Sequence, residues 1–145
     1  MSEESRTIEG RAQPLGVYPH VRLSGGFAFV SGTSARRQDN SIAGAEIEPS
    51  GRVHTDIGMQ TRTVLANIAD ILATVGATLA DVVEVSTFLV DMSDFDGYNE
   101  VYGEIFSTVT SPPARTTVAV AALPHPHLLI EIKAVARIPE TTPND

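Results

Sequence analysis

Between Asp56 and Val75 the apolar residues Ile57, Val64, Ile68, Ile71, Leu72 and Val75 return every three or four positions, the spacing of one helix face. Thr55 or Asp56 can cap the start of this helix, and Gly76 can stop it. A second stripe, Phe95, Tyr98, Tyr102 and Ile105, follows Ser93-Asp94-Phe95-Asp96, which has the form of a capping box with Asp in place of Glu. Pro112-Pro113 ends any helix there. Elsewhere the pattern has the period of a strand. Val21–Ser24 and Phe27–Ser31 flank Gly25-Gly26, a hairpin signal. Val82–Val90 is β-branched and apolar on both parities, as in a strand covered on both sides. In the next run Thr116, Val118 and Val120 alternate with Arg115, Thr117 and Ala119. In the last, Leu128, Ile130, Ile132, Ala134 and Ala136 alternate with Leu129, Glu131, Lys133 and Val135.

The order two strands, helix, strand, helix, two strands predicts an α+β domain with one sheet and both helices on one face. No internal repeat or linker divides the chain, so residues 1–145 are read as a single domain, with 1–14 and 138–145 flexible. Gly32 to Gly51 is polar and turn-rich and reads as a long functional loop. The sheet face away from the helices is expected to carry Arg115 and Glu131 among small and apolar side chains. A half-apolar face left uncovered points to a partner subunit.

Composition narrows the classes. The chain has 145 residues, 42% of them hydrophobic and 19% charged, which suits one globular domain. The absence of cysteine excludes disulfides, thiolate metal sites and cysteine nucleophiles. A net charge of −8, with one lysine, makes nucleic acid and anionic membranes unexpected partners. The apolar runs are too short to span a bilayer, and the polar start lacks a signal-peptide core. A soluble cytoplasmic protein is expected.

The common signatures of phosphate loops, dinucleotide sites, zinc proteases and serine hydrolases are absent. His125 and His127 lack a third ligand in the sequence pattern, so no metal is expected. Arg115 has small same-face neighbours, Thr117 and Ala119, and its guanidinium can grip a carboxylate bidentately. The plain alternative is an arginine closing a subunit salt bridge. Glu131 can position a water or shuttle a proton, or it can pair with Lys133 or Arg115. Asn99, by its position alone, is a solvated helix residue.

The string from Pro112 to Pro124, PPARTTVAVAALP, followed by LIEIKAVA from Leu129, resembles the signature of the Rid (reactive intermediate/imine deaminase) family. Phe29–Gly32, Val83–Met92 and Phe95–Tyr102 resemble the family's early strand, middle strand and second helix, so the resemblance runs from about Tyr18 to Ile138. It implies a chorismate-mutase-like fold, a homotrimer or dimer of trimers with sites between subunits, and hydrolysis of enamines or imines to ketone and ammonia without a cofactor. It also implies that Arg115 holds the substrate carboxylate and Glu131 orders the attacking water, with Tyr18, Ser31, Gly32, Asn99 and Thr117 binding substrate. Thr117 stands where many members carry cysteine, so thiol chemistry is not implied here. The longer segment after Gly32, Thr33–Ala45, resembles that of the 2-aminomuconate deaminases. A substrate with two carboxylates calls for a second cationic anchor, for which Arg36 and Arg37 are candidates, although they also suit a solvated turn. Three alternatives remain: a general 2-imino acid deaminase, a non-catalytic trimeric ligand-binding protein and, by fold alone, a chorismate mutase.

Overall fold

In the computed structural model, which describes residues 3–140, a six-stranded sheet carries two helices on one face. The strands are β1 (Glu4–Arg6), β2 (Val21–Ser24), β3 (Phe27–Thr33), β6 (Val82–Leu89), β7 (Ala114–Ala119) and β8 (Ile130–Arg137), in the order β1-β2-β3-β8-β6-β7. A separate two-stranded ribbon pairs β4 (Ala45–Ile47) with β5 (Val53–Thr55). The α+β architecture read from the sequence is the one observed. All pairings in the large sheet are antiparallel except β6 with β7, which is parallel.

Helix α1 (Ile57–Ala73) begins where Asp56 accepts a hydrogen bond from the Met59 N–H, 3.0 Å away. Its stripe of Val64, Leu65, Ile68, Ile71 and Leu72 is buried against Val21, Val30, Ile132 and Ala134 of the sheet. Helix α2 (Phe95–Phe106) buries Tyr98, Val101, Tyr102 and Phe106. The expected capping box at Ser93–Asp96 is not what starts it. A 3-10 turn at Met92–Asp94 precedes α2, and Asp91 caps that turn by accepting from the Ser93 N–H at 2.8 Å. The Asp94 side chain makes no capping bond. In the hairpin, Ser24 pairs with Phe27, and the two glycines between them have φ of 59° and 85°. Backbone of that hand suits a tight turn and is accessible to glycine at little cost.

Four expectations change. The lead-in expected to be flexible as far as Pro14 instead supplies an edge strand, with Ser5 opposite Arg22. Polar clips hold the segment that follows: Arg11 donates to Asn67 and Asp70, and His20 accepts from the Ile8 N–H at 2.8 Å. Alternation could not reveal this strand because it is short and largely polar. The tail expected to fray from residue 138 is partly described: the Ile138 N–H donates to the Gly26 carbonyl, while 141–145 lie outside the described residues. The loop from Gly32 to Gly51 contains β4 and a bridge between Arg36 and Ile42. Strand β6 has only one buried face, Val85, Thr87 and Leu89, with Val83 exposed on the other.

One polar group ties the layers together. Gln60, fully buried on α1, donates to the His127 carbonyl at 2.9 Å and accepts from the Leu129 N–H at 2.9 Å. It thereby holds the segment entering β8. Replacing it leaves two backbone groups unpaired in the interior, each costing about 1–3 kcal/mol. Gln60→Ala is expected to lower the unfolding free energy by ~2–4 kcal/mol in urea titration, and Gln60→Glu to lower it more at neutral pH than at acid pH.

Candidate active site

The sheet register separates the two residues most suited to chemistry. Arg115 pairs with Val85 and Thr117 with Thr87, both buried on the helix-covered face. Glu131 pairs with Phe88, on the opposite face, between buried Ile130 and Ile132. The expectation that Arg115 and Glu131 share the uncovered face is therefore wrong. Strand β7 runs parallel to β6 while β8 runs antiparallel to it, and alternation within each strand does not tell which parity of one faces which parity of the other.

Arg115 lies at the edge of the helix layer. Its Nη1 donates to Asn99 Oδ1 at 2.9 Å. Its guanidinium carbon lies 4.6 Å from the ring centre of Tyr102, 5.2 Å from Tyr98 and 5.8 Å from Phe95. Such cation–π contacts contribute about 0.5–2 kcal/mol each according to exposure, and they fix the plane of the fork. Arg115 takes part in no ion pair among the described residues. Asn99, read from position as solvated, is its hydrogen-bond acceptor. The three aromatics were legible only as core residues, because their helical spacing says nothing of a cation beside them. Burial pushes the Tyr102 phenol up to about 12, with Tyr98 adding to the shift and Arg115 opposing it. Thr117 reaches the Tyr98 hydroxyl at 3.2 Å.

Glu131 belongs to a second cluster. A bulge in β3 sets Val30 opposite Ala134 but Thr33 opposite Ile132, which inserts an extra residue around Ser31-Gly32. The Glu131 side chain lies in the space this opens. A Cβ on Gly32 would come within 2.6 Å of Glu131 Oε2 and 2.9 Å of its Cδ. Glycine therefore leaves the room in which the carboxylate crosses the strand, and a Cβ there would displace it. Burial raises the Glu131 pKa above the ordinary carboxylate value. No described salt bridge opposes that shift, so the alternative of a pair with Lys133 is not observed.

Tyr18, Ser31, Gly32 and Arg36 line one small cavity of about 70 Å³, which Gly32 shares with the Glu131 cluster although Glu131 itself does not line it. The Ser31 hydroxyl donates to the Pro19 carbonyl at 2.8 Å, and the Tyr18 hydroxyl accepts from the Leu15 N–H at 3.1 Å. Arg36 donates to Asn40 Oδ1 at 2.6 Å and to the Gln13 carbonyl. Arg37 does not join them. It lies on the loop tip beside Gln38 and Asp39, with Nη1 donating to the Ser41 hydroxyl at 3.2 Å. Arg11, His20 and Asn67 also line the cavity and were not foreseen. Arg11 sits in the segment read as a flexible lead-in, and Asn67 is one of several polar positions on an amphipathic helix, with Gln60, Thr61, Arg62, Thr63 and Asp70, so neither carried a usable signal. The His125 and His127 rings lie 5.0 Å apart, and among the described residues no cluster of three metal-ligating side chains exists. No described helix is long and apolar enough to cross a membrane.

The chain thus offers two incomplete surfaces: a fixed guanidinium on an aromatic ledge, and a half-buried carboxylate against Gly32. Between them the uncovered sheet face exposes Phe27, Phe29, Val83 and Val118, each to about 40%.

Residues 9–138 match the family described as Endoribonuclease L-PSP. Among curated proteins, a RutC family protein of Pyrococcus horikoshii is 41% identical over 130 residues, covering 88% of this chain and 92% of that one. A RutC family protein of Pyrococcus abyssi is 38% identical, covering 94% and 98%. Among solved structures, a yeast protein, YEO7, superposes with a TM-score of 0.80 at 29% identity, covering 95% of this chain and 100% of that one. A Rid family protein from Yersinia pestis superposes at 0.77 with 28% identity, covering 94% and 100%. TdcF of E. coli, solved with bound serine, superposes at 0.76 with 26% identity, covering 93% and 98%.

Gly32→Ala is expected to push the Glu131 carboxylate outward by ~1 Å while changing the unfolding free energy by less than ~2 kcal/mol, because the crowded atoms end a flexible side chain. Outward displacement restores solvent. The Glu131 pKa should then fall toward its ordinary value, so its carboxyl NMR signal should titrate at lower pH in the variant than in the native chain.

Proposed function

Because the chain belongs to the Endoribonuclease L-PSP family and superposes on a solved Rid family protein, we propose that it is a cofactor-independent deaminase of small enamine and imine carboxylates, with 2-aminomuconate as its substrate. The observation that carries this reading is the pair of complementary surfaces, an Arg115 guanidinium fixed by Asn99 and three aromatic rings and a half-buried Glu131 carboxylate. They stand on opposite faces of one sheet, so a site using both joins two copies of the chain. The exposed phenylalanines and valines of the open face support such an assembly, a homotrimer or a pair of trimers. The bound serine in TdcF supports a small ligand bearing a carboxylate. A net charge of −8 supports a small molecule over an RNA backbone.

In this reading Arg115 of one copy holds the α-carboxylate, its plane set by Asn99 and Tyr102. Protonation of the enamine at carbon gives the iminium ion. Water, held by Glu131 of the adjacent copy, adds to the C=N carbon as Glu131 takes its proton. The resulting carbinolamine loses ammonia when that proton returns to nitrogen, and its hydroxyl proton leaves as the ketone forms, balancing the one taken up at carbon. For 2-aminomuconate the product is 4-oxalocrotonate or its 2-hydroxymuconate tautomer. The cavity lined by Tyr18, Ser31, Gly32 and Arg36 receives the rest of the substrate. Arg36 is the better placed of the two loop arginines to meet a second carboxylate.

Glu131→Gln keeps the shape but cannot accept the proton, so kcat for ammonia release is expected to fall ~10²–10⁴-fold with the assembly intact. A surviving kcat would assign hydration to another group. If the site is shared, Arg115→Ala and Glu131→Gln are each inactive alone. Unfolding and refolding them together should then recover roughly a quarter of the native sites, since a native site needs the intact half from each of two neighbours. No recovery in demonstrably mixed oligomers would sink the shared site. Arg36→Ala is expected to weaken turnover of 2-aminomuconate about 1–3 kcal/mol more than turnover of 2-iminopropanoate, the scale of one hydrogen bond to a charged group, while Arg37→Ala leaves both rates alike. Equal losses on both substrates would favour the general imine deaminase.

A further inference from the structure

The strand that carries Arg115 and Thr117 is an edge. Strand β7 pairs with β6 alone, and its other side has no partner in the described chain. Something other than the sheet must hold its side chains in place. Fully buried Tyr98 of α2 is placed to do so. Its ring centre lies 5.2 Å from the Arg115 guanidinium carbon. Its hydroxyl lies 2.8 Å from Thr87 Oγ1 and 3.2 Å from Thr117 Oγ1. Thr87 and Thr117 are register partners on adjacent strands, so one phenol spans the β6–β7 pair from above.

Three hydroxyls then form a row, Thr87, Tyr98 and Thr117, with three protons for two contacts. One proton is left over, and were both threonines to donate to Tyr98 it would be the phenol's, stranded in the core, so the favourable arrangements leave it at an end of the row. Thr87 is 1% exposed, and its hydroxyl has no other partner among the described residues. Running the row from Thr117 inward would strand the Thr87 proton in the core, at the cost of an unmade buried hydrogen bond. The favourable direction is outward: Thr87 donates to Tyr98, Tyr98 donates to Thr117, and the Thr117 proton is presented outside. Thr117 is half-buried and lies two residues from Arg115 on the same face of β7. A hydroxyl chain of this kind also polarises its last member, which strengthens the outward bond.

We propose that Thr117 is a directed hydrogen-bond donor to the heteroatom beside the substrate carboxylate, and that Tyr98 is the positioning residue that sets its direction. This deepens the deaminase reading and rests on Arg115 holding that carboxylate. The ligand class it selects is an acid with a lone pair at C2, a 2-oxo or 2-imino acid, over one with only hydrogens there.

The test is calorimetric binding of pyruvate and propionate to the native assembly, which reads Arg115 whether or not ammonia is released. Thr117→Val is expected to weaken pyruvate about five- to tenfold and propionate less than about twofold, the scale of one neutral hydrogen bond. Thr117→Ser should restore pyruvate. Tyr98→Phe keeps the ring beneath Arg115 but removes the relay. It should weaken pyruvate several-fold, and the Tyr98→Phe/Thr117→Val pair should be no worse than Thr117→Val alone. Equal loss of both ligands, or additive losses in the pair, would reduce Tyr98 and Thr117 to braces of the fold and overturn the proposal. Normal pyruvate binding in both single variants would overturn it too. If the native assembly binds neither acid, and Arg115→Ala changes nothing, the carboxylate site itself falls and the donor with it.

Discussion

Strand β8 lies between β3 and β6 and joins the two halves of the sheet. Its alternation is strict: Ile130, Ile132, Ala134 and Ala136 lie under the helices, and Glu131, Lys133 and Val135 face away. A slip of one residue would send every one of these side chains to the other face. The rest of the molecule follows from that register. It delivers the core under α1, and it delivers Glu131 to the bulge at Gly32. It also leaves Glu131 on the face opposite Arg115, because β7 joins the far side of β6 with Arg115 beside buried Val85. Gln60 secures the same strand at its entry, by pairing backbone groups that α1 would otherwise bury unmatched.

The two surfaces are held by different physics. Arg115 is exposed and keeps its charge cheaply, so its order comes from flat aromatic rings and one amide oxygen. Glu131 is half-buried, and the cost of charging it there raises its pKa. Glycine at 32 makes room for the carboxylate, and the bulge turns that room toward it. A carboxylate with a raised pKa and no salt-bridge partner among the described residues invites a cation from outside, and a guanidinium with no anion among them invites the reverse. That mutual deficiency, together with the uncovered phenylalanines, is the physical case for the shared site proposed above.

Much of this was legible in the sequence. The helical stripes of α1 and α2, the Gly25-Gly26 hairpin and the alternation of β8 each follow from a period that side-chain burial imposes on the chain. Arg115 and Glu131 were identifiable as candidates because a charged residue within an otherwise apolar or small-residue strand needs a reason to be there. The candidate residues Tyr18, Ser31 and Gly32 came from resemblance, and the structure adds Arg36 to their cavity while leaving Arg37 on the loop tip.

What the sequence could determine was parity within an element, since alternation is a local property of the backbone. What it could not determine was how the parities of two strands face each other, because that depends on strand direction and register across the sheet. This is why Arg115 and Glu131 were assigned to one face and are found on two. The edge strand at Glu4–Arg6 stayed hidden for a related reason: its pairing with β2 and the clips of Arg11 and His20 are contacts between distant residues, with no local period to announce them. The aromatic ledge was half visible. Helical spacing placed Phe95, Tyr98 and Tyr102 on one face, but only the packing of α2 over the β6–β7 edge brought that face against a guanidinium and two threonines.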